Sequence, residues 1–91
     1  MDRKENIHHL IKKITMEVLE FIKEEESHFK DRWVPSAHIK NSLELGFVAV
    51  PKANKQYGEK GWLFAIIARI LEDQNMIEYK KAGNRAFCRT I

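Results

Sequence analysis

Four histidines, one cysteine and a run of three glutamates are the residues of this chain whose types could support catalysis or metal binding. His8 and His9 are adjacent, so on a helix they diverge by about 100° and cannot chelate one ion from one face. His28 and His38 flank a turn, but no Cys or carboxylate stands near them at ligand spacing. All four read as surface or half-buried side chains, and neither a metal nor a cofactor is expected. Cys88 has no partner for an internal disulfide, which suits a reducing cytoplasm. It falls in a predicted strand with no helix N-terminus beside it, so an activated thiolate is not expected. Tyr57-Gly58-Glu59-Lys60-Gly61 sets glycines and a lysine before a helix but lacks the spacing and terminal Ser/Thr of a phosphate loop. Glu24-Glu25-Glu26 reads as a solvated helix end. No Ser-His-Asp or Cys-His grouping occurs, and the expectation is a protein that is not an enzyme.

The lysines and arginines are distributed more informatively. The formal charge is +3 over 91 residues. Residues 1–45 hold eight Lys/Arg against nine Asp/Glu, whereas residues 46–91 hold eight against four. Between Tyr79 and Ile91 stand Lys80, Lys81, Arg85 and Arg89 and no acid. A basic half on a neutral body is the footprint of a polyanion binder. Sixteen cations in a chain of this size are also ordinary solubilising decoration, so charge alone leaves both readings open.

The elements that must position these groups follow from hydrophobic spacing. Ile7, Leu10, Ile11, Ile14, Val18, Phe21, Ile22 and Phe29 form one stripe of an amphipathic helix over about residues 6–29. A helix of that length exceeds the diameter expected for the rest of the domain, which points to a second subunit covering part of the stripe. Trp33-Val34 forms a short strand, because Pro35 biases Val34 toward extended geometry. A second helix starts at Ser36 as N-cap and runs to about Leu45, with Ala37, Ile39 and Leu43 inward and Gly46 ending it. Residues 47–60 show no helical stripe and read as a long loop. A third helix spans about residues 61–75. Met76–Lys80 and Arg85–Ile91 then read as a hairpin around Ala82-Gly83-Asn84. With 44% hydrophobic residues and no linker, the whole of 1–91 is expected to be one soluble domain. No signal peptide or membrane span is expected.

The order helix, short strand, helix, helix, hairpin resembles the winged helix-turn-helix superfamily. The residues that carry the likeness are Ala68-Arg69-Ile70-Leu71-Glu72-Asp73-Gln74-Asn75-Met76-Ile77-Glu78-Tyr79, similar to that family's exit from its recognition helix into the first wing strand, over about residues 77–91. Asn75 stands where the family often has glycine, an acceptable exchange because Asn tolerates left-handed geometry. Trp33-Val34-Pro35-Ser36 is similar to the family's short strand and second-helix start. The resemblance implies a mainly α fold with a small β-hairpin (α+β) and double-stranded DNA as partner, with a role in transcription regulation. It implies wing contacts from Lys80, Lys81, Asn84 and Arg85, and a phosphate at Ser36 and His38. Lys52, Lys55 and Lys60 would add phosphate contacts, and Arg69 would read bases.

The helical wheel of the third helix offers a competing reading. Phe64, Ile67, Ala68 and Leu71 point to the core, while Trp62, Ala65, Ile66, Arg69 and Asp73 point away. Base edges demand donors and acceptors, and this face is largely apolar. It therefore also fits a protein interface anchored by Trp62 and Ile66, or a surface covered by the 47–60 loop through Phe47, Val50 and Tyr57.

Overall fold

Asp2 starts the first helix as its N-cap: its side chain accepts the amide of Glu5, at the third helical position, at 2.8 Å. This computed structural model describes residues 2–45 and 62–91, with Trp62 described by its backbone alone. The first helix, α1, spans Arg3–Glu25. It begins earlier than the apolar stripe predicts, because capping rather than hydrophobicity sets its start. It also ends earlier than predicted. Two 3₁₀ turns follow, Glu26–His28 and Lys30–Arg32, and Asp31 and Arg32 both take left-handed backbone, at φ 55° and 65°.

Strand β1 (Val34–Pro35) leads directly into α2 (Ser36–Ser42). Pro35 occupies the cap position and Ser36 is already helical, so the expected Ser36 N-cap is not formed. Ala37, expected inward, is exposed, while Ile39 is fully buried. The helix stops before Gly46. Glu44 turns left-handed at φ 54°, with Leu45 donating to the Lys40 carbonyl at 2.8 Å and Glu44 to that of Asn41 at 3.3 Å. These are the two bonds of a Schellman motif. Helix α3 (Trp62–Asp73) ends the same way, with Asn75 at φ 59° and Met76 donating to the Leu71 carbonyl at 2.9 Å. Asn75 thus takes the left-handed geometry that asparagine tolerates.

Strands β2 (Ile77–Ala82) and β3 (Arg85–Thr90) form an antiparallel ribbon that pairs from Ile77–Thr90 to Ala82–Arg85. Gly83 takes φ +63° at the first turn position, where a side chain would be strained. β1 adds to the other edge of β3 through Val34–Cys88 and Pro35–Phe87, giving the sheet order β1-β3-β2. The result is an α+β domain of three helices and a three-stranded antiparallel sheet among the described residues.

The core joins α1 (Val18, Leu19, Ile22), α3 (Phe64, Ile67, Ala68, Leu71) and the sheet (Val34, Ile77, Cys88), with Ile39 of α2. All four α3 residues expected to face inward do so. Glu26 departs from expectation: it is 8% exposed rather than solvated. Its carboxylate accepts the Thr90 amide at 2.6 Å and the Thr90 hydroxyl at 2.8 Å. Arg32 donates to the same carboxylate and to the Thr90 carbonyl, each at 3.1 Å. This knot ties the end of α1 to the last residue of β3. No helix among the described residues is long and apolar enough to cross a membrane.

Candidate nucleic-acid interface

Alternation along the ribbon decides which cations share a surface. Successive side chains of a strand point to opposite faces. Tyr79 and Lys81 of β2 therefore project on the side of α2 and α3, while Glu78 and Lys80 project away. On the first side, α2, α3 and the ribbon enclose an open groove of about 620 Å³. Lys40 comes to it from α2, Ala65, Arg69 and Glu72 from α3, and Tyr79 and Lys81 from β2. Each cation is placed by its element. Lys40 follows Ile39, whose burial fixes the rotation of α2. Arg69 follows Ala68, which packs in the core.

Arg69 donates through Nε to Asp73 at 2.9 Å, one turn along the same exposed face. That bond, together with the negative charge of Asp73, holds the guanidinium more firmly protonated than usual. Both partners are well exposed, so the pair is screened by water and readily exchanged for another anion. Arg69 is thus positioned but not locked. Glu72 is the groove's own acid and sets a limit on its positive potential.

The remaining predicted residues do not all join this surface. Lys80 is on the opposite face of the ribbon, with Nζ 4.5 Å from the centre of the Trp33 ring and 5.4 Å from that of Phe87. Arg89 covers the same indole at 4.1 Å, pairs with Glu78 at 2.9 Å and donates to the Asp31 carbonyl at 3.0 Å. Asn84 and Arg85 are exposed at the hairpin tip, with Arg85 on the Lys80 side by alternation. Ser36 does line the groove, but deep in it: it is 6% exposed and its hydroxyl lies 3.8 Å from the Cys88 sulfur. His38 faces α1 instead: Nε2 is 2.6 Å from Glu25, and the ring packs between Phe21 and Phe29. Ile66 is half exposed on α3, as expected. Lys52, Lys55, Lys60 and the Trp62 side chain lie outside the described residues.

Two groove residues escape a reading of the sequence by charge runs alone. Lys40 stands one helical turn after Ser36, a spacing that puts it on the same side of α2. Tyr79 alternates with Lys81, and the same period-two argument separates Lys81 from Lys80. Among the described residues no cluster of three or more His, Cys, Asp or Glu is arranged to hold a metal. Comparison of the chain with protein-family models, with curated proteins and with solved structures finds no match.

Proposed function

We propose that this protein is a cytoplasmic winged-helix module that binds duplex DNA, with α3 in the major groove and the β2–β3 ribbon as its wing. The observation that carries the reading is the convergence of cations from three elements, Lys40, Arg69 and Lys81, on one open groove. The ribbon supports it, because Lys81 lies on one face and Lys80 and Arg85 on the other. A ribbon entering the minor groove meets phosphates on both walls, and cations on both faces match that arrangement. Binding of this kind is dominated by the backbone and by released counterions, with Arg69 the side chain best placed to reach a base edge. Regulation of transcription is the role that such a module would serve.

The test is fluorescence anisotropy of a labelled duplex over a salt series. Binding should weaken steeply with salt. Lys40→Ala with Lys81→Ala should flatten the log–log slope by about 1.8, from roughly 0.9 for each phosphate that is no longer neutralised. Arg69→Ala should instead relax preference among sequences. No binding at low salt would overturn the reading.

Half exposure of Ile66 beside Ala65 supports a second reading, in which the α3 face docks a protein partner. An Ile66→Asp variant that leaves DNA affinity intact but abolishes capture of a partner would favour it.

A further inference from the structure

Helix α1 outruns what the fold covers. Every residue from Asp2 to Ile14 is exposed, and burial begins only at Thr15. Within that stretch Ile7, Leu10, Ile11 and Ile14 are 42–50% exposed and share one side of the helix. Three turns of helix without a buried residue gain little stability by themselves. Four large apolar side chains side by side, rimmed by charges, mark a surface built for contact.

We propose that this stripe is a self-association surface, paired antiparallel with the same stripe of a second copy of the chain. The stripe is self-complementary. Its spacing reads the same from either end, so reversal about the midpoint between Leu10 and Ile11 sets Ile7 beside Ile14 of the second copy and Leu10 beside Ile11. That is the condition for a two-fold interface. The charges of α1 select the orientation. Residues 2–13 carry Arg3, Lys4, Lys12 and Lys13 against Asp2 and Glu5. Residues 14–25 carry Glu17, Glu20, Glu24 and Glu25 against Lys23 alone. Antiparallel pairing brings Arg3 of each copy near Glu17 of the other, on the same flank of the stripe. Parallel pairing would set Arg3 against Arg3 and Glu17 against Glu17, which is repulsive at both ends.

This pairing stands independently of DNA binding, and sedimentation equilibrium of the full chain tests it. The expected result is a reversible dimer in the micromolar range. Leu10→Asp with Ile14→Asp falls on half-exposed positions outside the core, so the circular dichroism spectrum should be unchanged, while Tm falls only by the stabilisation that association gives. The dissociation constant should rise on the order of a thousandfold, because four half-exposed apolar side chains per dimer are removed. Arg3→Glu should weaken the dimer about tenfold, and adding Glu17→Lys in the same chain should restore it. A wild-type chain that stays monomeric at high micromolar concentration overturns the proposal. So does a dimer indifferent to the aspartates. Indifference to the charge reversal, or failure of Glu17→Lys to rescue, overturns the antiparallel arrangement.

Discussion

Replacing Glu26 by alanine removes the acceptor for three donors at once. The carboxylate takes the Thr90 amide at 2.6 Å and the Thr90 hydroxyl at 2.8 Å, and meets Arg32 at 3.1 Å. Thr90 is 8% exposed, so its backbone N–H would be left largely unsatisfied away from water. A hydrogen bond to a charged acceptor contributes about 1.5–3 kcal/mol, and a stranded buried donor costs about 1–3 kcal/mol. The half-exposed Arg32 adds little once solvent screening is allowed for. A loss of about 3 kcal/mol for Glu26→Ala is therefore expected, against a total stability of about 5–15 kcal/mol. Glu26→Gln keeps an oxygen for the Thr90 amide and should cost about 1 kcal/mol, and Thr90→Val, which keeps the amide, about the same. Urea unfolding followed by circular dichroism measures all three. Tm should fall by roughly 12–25 °C for the alanine variant. An alanine variant within about 0.5 kcal/mol of the parent, or a glutamine variant as damaged as the alanine one, would refute the satisfaction argument.

Asp73→Asn removes an acid from the solvent face of α3 and frees Arg69; DNA affinity at low salt should rise about two- to fivefold, read by the anisotropy assay. Burial pushes the Cys88 thiol above its ordinary range, an effect opposed in part by the Ser36 hydroxyl. Its reaction with a disulfide reagent should be slow in the native state and accelerate with denaturant. Because the folded value is raised, this contribution is fully present below the ordinary thiol range and is lost as pH rises through the folded value. Urea midpoints should accordingly fall on the alkaline side, and Cys88→Ala should flatten that dependence. Glu44→Gly replaces an exposed residue at φ 54° by one without the steric penalty and should stabilise by about 0.5–1 kcal/mol in urea unfolding.

The element order is legible in the sequence because each element carries a local signature. α3 shows its core face in four residues spaced by three and four, the ribbon its turn in Gly83-Asn84, and the α3 exit its left-handed stop in Asn75. What cannot be read locally depends on residues far away in the chain. Glu24, Glu25 and Glu26 look alike as letters. Only the arrival of Thr90, 64 residues later, makes Glu26 an internal acceptor while Glu24 stays in water. Ser36 reads as a cap because serine often is one, but Pro35 holds the extended cap geometry and the hydroxyl turns to Cys88. Composition groups the cations of the ribbon together, whereas the pleat divides them, and Trp33 claims Lys80 for its own ring.

The placement of β3 between β1 and β2 has a consequence for how the polypeptide acquires its shape during synthesis. The middle strand is the last of the three to leave the ribosome. Until it does, β1 has no neighbour, Glu26 has no Thr90, and the apolar side of α1 has no sheet to rest on. Assembly must wait for contacts spanning some sixty positions, an arrangement that slows folding and leaves a sticky nascent segment in the interval. A chain stalled before Arg85 should therefore be recognised by chaperones, whereas one stalled beyond Thr90 and clear of the exit tunnel should not.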